Sequence, residues 1–256
     1  QWLLPVCAET WDGYLNDING DHVRPEHVEA ALDAATVGPV AEGSAGGGTG
    51  MNCYDFKGGN GTASRLVPFG SRTFTVAAFV QANFGARAEL TVAGRPVGAQ
   101  LLDDNPLDGD WFERDLAFAP PGAGSVIAIV ATDAPLLPGQ CKALARRVPL
   151  GLARTGTTGS HFSGDIFLAF STADAPDLAS AFPLGPVGEA ELGTLSFVPW
   201  GRMDALYTAV VQSVEEAVLN ALVVNTDMVG RDGHRSPRLP LDRLSALLGA
   251  NGSADF

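Results

Sequence analysis

Four segments of the chain carry apolar residues with the spacing or the length of β-strands. Residues 73–81 and 88–97 favour strands that should be neighbours in one sheet, and the second turns at Ala93-Gly94. Residues 125–132 form a short apolar run, which predicts a strand buried on both faces. Residues 165–171 predict another buried strand.

Helical spacing of apolar residues predicts four helices. Residues 203–225 carry one wide apolar face and form the longest of them. Residues 22–35 place Pro25 at a helix N1 position and predict a short surface helix. The other two cover residues 138–147, with a basic end, and residues 241–248. Because strands and helices alternate in blocks without a regular βαβ rhythm, layered sheets flanked by helices are favoured over a doubly wound parallel fold.

Two connections between these elements have unusual compositions. Glycine dominates residues 38–61, which permits positive φ angles and close backbone approach and so suits a loop beside a functional site. Residues 102–124 are rich in Asp, Pro and Gly and lack a sustained periodicity. They predict an exposed connection that can be cut without loss of the core.

Composition and charge exclude several classes of protein. The 256 residues are 46% hydrophobic with a formal net charge of −13, which indicates a globular chain and argues against nucleic acid as a partner. No run of about 18 uncharged apolar residues is present, so no membrane span is expected. Three widely spaced cysteines favour free thiols in the cytoplasm, with the periplasm as the alternative. The four histidines are scattered and no P-loop is present, so neither a metal nor a cofactor is expected.

A candidate nucleophile lies in the dipeptide Gly124-Ser125, between the exposed connection and the apolar strand. Backbone cleavage before Ser125 would leave its hydroxyl beside a free α-amine, whose ordinary pKa of about 7.7–8.0 suits a general base near neutral pH. Taken alone, the dipeptide also fits an ordinary loop serine. A Ser-His-Asp triad elsewhere stays open, although no Gly-x-Ser-x-Gly motif marks one.

Seven motifs in a fixed order resemble one family. They are residues 8–20 (AETWDGYLNDING), 47–59 (GGTGMNCYDFKGG), 61–65 (GTASR), 124–136 (GSVIAIVATDAPL), 163–172 (SGDIFLAFST), 216–223 (EAVLNALV) and 230–233 (GRDG). Together they resemble the L-aminopeptidase/D-Ala-esterase/amidase group, which includes the β-peptidyl aminopeptidases.

The resemblance implies an α+β fold built as a four-layer αββα sandwich. It also implies a precursor that cuts itself between Gly124 and Ser125. The products would be an α-polypeptide, residues 1–124, and a β-polypeptide, residues 125–256, which stay together as one domain. Family precursors carry further residues ahead of the segment that begins here with Trp2.

The resemblance further assigns roles to individual residues. Ser125 is the nucleophile, and Asn83 donates to the oxyanion. Ser163 and Asp165 orient Ser125 and its α-amine, although the β-peptidase branch has the longer Glu in place of Asp165. A second set forms the substrate-binding residues, and its members are Glu9, Trp11 and Tyr14.

The substrate-binding residues carry distinct expectations. Glu9 receives the free amino group of the substrate, and its apolar sequence neighbours favour burial. Trp11 replaces a Tyr that helps the oxyanion site in some members, and an indole donates only through Nε1. Tyr14 is the candidate to substitute for that Tyr.

The implied function is a serine aminopeptidase that acts on short peptides or amino-acid amides through an acyl-enzyme on Ser125. It hydrolyses the N-terminal amide, peptide or ester bond of α-L, D-Ala or β-amino acid substrates, as a tetramer of αβ units. Two alternatives stay open. One is an acyltransferase of the ornithine acetyltransferase type, which uses threonine where Ser125 stands, and the other is a non-catalytic, unprocessed relative.

Overall fold

The structure is a computed structural model that describes residues 6–107, 124–173, 178, 185–186 and 192–249. The strands in these ranges are β1 (Asn52–Cys53), β2 (Phe56–Lys57), β3 (Gly59–Phe69), β4 (Arg72–Asn83), β5 (Thr91–Val92), β6 (Arg95–Pro96), β7 (Ser125–Thr132), β8 (Gly164–Ser171), β9 (Met228–Val229) and β10 (Arg235–Ser236). The α-helices are α1 (Pro25–Asp33), α2 (Pro138–Ala145), α3 (Val148–Arg154), α4 (Asp204–Val223) and α5 (Leu241–Leu248). Short 3-10 turns lie at Gly46–Gly48, Arg87–Glu89, Gly98–Gln100, Trp200–Arg202 and Arg231–Gly233.

Four strands form the central sheet, in the order β3-β4-β7-β8. The β3-β4 and β4-β7 pairs are antiparallel, and β8 runs parallel to β7. The strands predicted at residues 73–81, 125–132 and 165–171 are therefore confirmed. The short strands pair as β1-β2, β5-β6 and β9-β10.

The prediction that residues 88–97 neighbour residues 73–81 is wrong. The later segment holds only the β5-β6 hairpin, and the neighbours of β4 are β3 and β7. The sequence pattern missed β3 because its glycines are typical of a loop. In the fold, Gly61 lets helix α4 approach the sheet, since a Cβ atom there would lie 1.8 Å from the Ala217 carbonyl oxygen.

Gly61→Ala is expected to lower the free energy of unfolding by about 1–3 kcal/mol, because the added methyl group forces α4 away from the sheet. Urea unfolding measures this change. The matched control is Gly201→Ala, where a Cβ atom meets nothing within 4 Å and a change within about 0.5 kcal/mol is expected. Equal stability of the two variants would contradict the close packing of α4 on β3.

The central sheet has one covered face and one open face. Helix α4 packs on the side that carries Val76, Ala78 and Val80, which are at most 2% exposed. The open face carries large apolar side chains that are 39–73% exposed, namely Leu66, Ile166, Leu168 and Phe170. Strand β7 is central and largely buried, as predicted. The prediction that β8 is buried is wrong. Among the described strands β8 lies at the edge of the sheet, and its side chains Ile166, Leu168 and Phe170 lie on the open face.

The helices agree more closely with the sequence pattern. Helices α4 and α5 confirm the predictions at residues 203–225 and 241–248, and α1 is a surface helix without a buried residue. Helix α2 ends at Ala145, and α3, which was not predicted, follows it. Gly151 of α3 approaches α4 so closely that a Cβ atom would lie 2.7 Å from Val214.

The remaining expectations concern cysteines, membranes and the exposed connection. Cys7, Cys53 and Cys141 are free thiols, as predicted, and Cys7 is exposed. Among the described helices, none is both long and apolar enough to cross a membrane. Of the predicted connection, residues 108–123 lie outside the described residues.

Candidate active site

Three strands bring candidate residues together at one end of the central sheet. Strand β4 ends at Asn83, β7 begins at Ser125 and β8 begins at Gly164, and these three residues are paired in register. Side chains of directly opposite residues share a face of the sheet. Asn83 and Ser125 therefore lie side by side, and both are buried, with 6% and 5% of their surface exposed.

Two N–H groups point at the Ser125 hydroxyl. The backbone N–H of Trp11 donates to Oγ at 3.2 Å, and Asn83 Nδ2 lies at 3.5 Å. Asn83 Nδ2 also donates to the Trp11 carbonyl oxygen at 2.6 Å. The structure thus joins the predicted nucleophile to the predicted oxyanion donor, and it adds a backbone donor that the sequence did not indicate.

The orientation of the Asn83 carboxamide is set by its partners. The backbone N–H of Asn52 donates to Oδ1 at 2.9 Å, while Nδ2 faces the Trp11 carbonyl oxygen. Exchanging the oxygen and nitrogen of the amide would oppose donor to donor and acceptor to acceptor. The N–H₂ group must therefore be the end beside Ser125.

A tight hairpin, β1-β2, presents the Asn52 N–H to Asn83. Its turn residues Tyr54 and Asp55 have φ angles of 53° and 54°, as a type I′ turn requires. Lys57 on β2 is fully buried, and its Nζ donates to the carbonyl oxygens of Gly48, Met51 and Gly58 at 3.1, 2.9 and 2.7 Å. Burial lowers the pKa of Lys57 to about 8, and the Asp12 carboxylate acts in the opposite direction.

Ser163, just before β8, and Asp165, on β8, flank the residue that pairs with the nucleophile. Ser163 Oγ donates to Asp165 Oδ1 at 2.5 Å. Asp165 is paired with Val126, so its side chain leaves the sheet on the face opposite to that of Ser125. Within the described part of the chain, neither side chain forms a hydrogen bond with Ser125 Oγ, and their predicted role toward the α-amine stays a prediction.

The structure places Glu9 two residues before the Trp11 backbone that contacts Ser125, but the expectation that Glu9 is buried is wrong. Glu9 is exposed, and its apolar neighbours Val6 and Cys7 are exposed as well, so they do not bury the carboxylate. Trp11 is 39% exposed, and its observed contact with Ser125 is made by its backbone rather than its indole.

Tyr14 contacts residues at the β9-β10 hairpin, and its assignment as a substrate-binding residue near the oxyanion site stays a prediction. Its ring stacks on His234 with centroids 4.7 Å apart, and its hydroxyl donates to the Arg235 carbonyl oxygen at 3.1 Å. Burial raises the pKa of Tyr14. The hydroxyl is engaged at the β9-β10 hairpin and therefore serves that packing.

Three groups at the site were missed by sequence reasoning, namely the N–H groups of Trp11 and Asn52 and the Lys57 ammonium. Backbone donors leave no mark in a residue pattern. Lys57 could have been noticed in the sequence, because this cation stands between an apolar residue and two glycines. In the described ranges, no group of three or more His, Cys, Asp or Glu residues could hold a metal ion.

Comparison with known proteins identifies the fold first. The chain superposes on the L-aminopeptidase D-Ala-esterase/amidase of Ochrobactrum anthropi with a TM-score of 0.82 and 45% identity, covering 98% of this chain and 64% of that chain. That protein is described as a prototype for the serine aminopeptidases and a variant of the Ntn hydrolase fold. A Burkholderia β-aminopeptidase superposes with a TM-score of 0.79 and 44% identity, covering 96% of this chain and 64% of that one. The described chain therefore has a mixed α/β structure of the Ntn hydrolase type.

The family follows from the sequence comparison. The model of peptidase family S58 matches residues 1–236, and this chain belongs to that family. The β-peptidyl aminopeptidase BapA of Sphingosinicella microcystinivorans is 45% identical over 250 residues, which are 96% of this chain and 61% of that protein. The chain thus spans about three fifths of the length of this relative. The recognition made from the motifs is confirmed.

Proposed function

We propose that this protein is a self-processing serine aminopeptidase with Ser125 as its nucleophile. The observation that carries the proposal is the placement of Ser125 Oγ, at a strand terminus, within 3.5 Å of a carboxamide and a backbone N–H donor. Such donors stabilise the negative charge that develops during acyl transfer. The membership of family S58 and the aminopeptidase relatives support the same activity.

The bond between Gly124 and Ser125 is held in a way that favours cleavage. The Gly124 carbonyl oxygen accepts a hydrogen bond from the Gly164 N–H at 3.0 Å, which polarises the carbonyl group that Ser125 Oγ would attack. Only glycine fits at position 124, since a Cβ atom would lie 2.1 Å from the Asn83 carbonyl oxygen. Attack of Oγ on the Gly124 carbonyl carbon forms an ester and breaks the peptide bond between Gly124 and Ser125, and the hydroxyl proton moves to the released Ser125 nitrogen. Water then hydrolyses the ester, leaving the Gly124 carboxylate and a free α-amine on Ser125.

The two polypeptides would remain one domain after this cleavage. Residues 1–124 contribute β4, residues 125–256 contribute β7, and the two strands pair in register from Val76–Thr132 to Asn83–Ser125. The exposed apolar face of the sheet supports the four-layer αββα arrangement, in which a second sheet covers it. A tetramer of αβ units is the expected assembly, and light scattering of the whole protein tests it.

Substrate hydrolysis would reuse the same groups. The α-amine of Ser125 takes the hydroxyl proton as Oγ attacks the carbonyl carbon of the first residue, and the Asn83 N–H₂ stabilises the oxyanion. The leaving amine receives the proton, and water releases the acyl group. Ser163 and Asp165 would orient the α-amine from the neighbouring strand. The substrates are short peptides or amino-acid amides whose free amino group is bound by Glu9.

Mass spectrometry of the purified protein, together with an assay on chromogenic amino-acid amides, tests the proposal. Two fragments divided before Ser125 and hydrolysis of the amide support it. A single uncut chain of 26.5 kDa without activity would indicate a non-catalytic relative. Transfer of the acyl group to an amine in preference to water would indicate the acyltransferase.

Glu9→Gln is expected to raise KM for amino-acid amides by about tenfold or more, because a carboxylate–ammonium contact is lost. The rate at which a small acylating inhibitor labels Ser125 should stay the same, since the nucleophile is untouched. Glu29→Gln on the exposed helix α1 is the matched control and should leave both quantities unchanged. Equal losses toward substrate and inhibitor would show that Glu9 supports the structure instead.

A further inference from the structure

One peptide unit connects the buried Lys57 to the oxyanion donor. Its carbonyl oxygen, on Met51, accepts from Lys57 Nζ at 2.9 Å. Its N–H, on Asn52, donates to Asn83 Oδ1 at 2.9 Å. The two groups belong to a single conjugated amide. A continuous line of polar contacts therefore runs from the ammonium through two amides to Ser125 Oγ.

Such a line transmits polarisation. A cation at a carbonyl oxygen withdraws electron density from the amide and makes its N–H a stronger donor, and successive hydrogen bonds reinforce one another. The Asn83 carboxamide responds in the same way, because the hydrogen bond accepted by Oδ1 makes the Nδ2 hydrogens more positive. The effect is larger in a buried site, where water does not screen the charge.

The chemistry of Lys57 fits this role better than that of a simple structural donor. Three carbonyl oxygens accept from Nζ, and among the described residues no carboxylate lies within ion-pair distance of it. A neutral donor would satisfy the same carbonyls with a smaller desolvation cost. With its pKa lowered only to about 8, the group is still an ammonium at neutral pH. The fold thus buries a positive charge behind the oxyanion donor without a direct ion pair among the described residues, and the Asp12 carboxylate acts on it only from a longer distance.

We propose that Lys57 is a positioning residue that orients and polarises the Asn83 carboxamide through the Met51–Asn52 peptide unit. This inference rests on the proposed function, in which Asn83 stabilises the oxyanion. Because the oxyanion forms only during the reaction, Lys57 acts on the turnover number and leaves substrate binding unchanged.

Lys57→Met tests the inference, because methionine is unbranched and fills the buried space without the charge. On fully processed enzyme, normalised to titrated Ser125, kcat is expected to fall by about tenfold while KM stays within about threefold. The matched control is Asn225→Ala. Asn225 Nδ2 donates to the carbonyl oxygens of Lys57 and Gly58 at 3.2 and 2.9 Å, so its loss loosens the same hairpin without touching the Met51–Asn52 peptide. Its kcat should stay within about twofold.

A double-mutant cycle separates polarisation from general loosening of the fold. If Lys57 acts through Asn83, Lys57→Met should change kcat by less than about twofold once Asn83 is already alanine. An equal tenfold loss in both backgrounds would overturn the inference and leave the proposed function standing. Wild-type turnover of Asn83→Ala alone would instead reject the oxyanion role of Asn83, and with it this inference.

Lys57→Gln takes the place of the methionine variant if that protein does not fold. Its side chain is one bond shorter than that of lysine, but its amide keeps two N–H donors for the loop carbonyls while the charge is removed. The inference predicts the same fall in kcat and the same dependence on Asn83. Turnover of Lys57→Gln within twofold of wild type would overturn it.

Discussion

The Ser125→Ala protein is expected to remain a single uncut chain and to hydrolyse no amino-acid amide. In the proposed mechanism one hydroxyl performs both acyl transfers, first on the Gly124 carbonyl and then on the substrate, so its removal should stop both. Removing a nucleophile from comparable serine enzymes lowers kcat by about 10⁶-fold, which here means no activity above background. A denaturing gel and a chromogenic amide assay measure the two losses.

The control for this variant is Ser64→Ala, which removes an exposed hydroxyl from β3 on the same face of the sheet. It should be cut and should turn over like the wild type. Cleavage of the Ser125→Ala chain before position 125 would remove Ser125 from the processing mechanism. Retained hydrolysis in an uncut Ser125→Ala chain would point to a separate nucleophile.

Asn83→Ala is expected to lower kcat by about a hundredfold or more with a much smaller change in KM. The carboxamide N–H₂ beside Ser125 Oγ acts chiefly on the oxyanion, and loss of one such donor costs about 3–4 kcal/mol in comparable enzymes. Self-cleavage also passes through an oxyanion and should slow. The rate is therefore measured on fully processed protein and normalised to titrated Ser125.

Asn220→Ala is the control, because it removes a carboxamide that donates to the Thr62 carbonyl oxygen on the opposite side of the sheet from the site. It should lower stability slightly and leave kcat unchanged. Turnover of Asn83→Ala within about twofold of wild type would transfer the oxyanion role to backbone donors. The Trp11 N–H, which already faces Ser125 Oγ at 3.2 Å, would be the first candidate.

Local pattern was enough to predict the elements whose burial follows a regular period. Helix α4 shows a face of small and branched apolar residues every three or four positions, and the structure packs that face on the sheet. Strand β7 is a continuous apolar run because it is central and covered on most of its length. Strand β3 was not predicted because its glycines are typical of a loop, whereas Gly61 serves the approach of α4, a relation between segments that are distant in sequence.

At the candidate site, too, some features follow from the local sequence and others depend on contacts between distant segments. Motif resemblance selected Ser125 as the candidate nucleophile and Asn83 as the candidate oxyanion donor. The register of β4 with β7 places these two residues side by side. The resemblance did not indicate that the Tyr14 hydroxyl donates to the Arg235 carbonyl oxygen. A motif records which residues occur together, whereas hydrogen-bond partners depend on where the chain brings each side chain.

By itself, the sequence determined the family and the main helices and predicted a nucleophile at the 124–125 junction, because each follows from local spacing or from an ordered motif set. Only the tertiary structure decided the strand order, the open apolar face and the contacts made by Trp11, Asn52 and Lys57. These features depend on backbone groups and on segments brought together across the sheet, and neither is encoded in the pattern of any one segment.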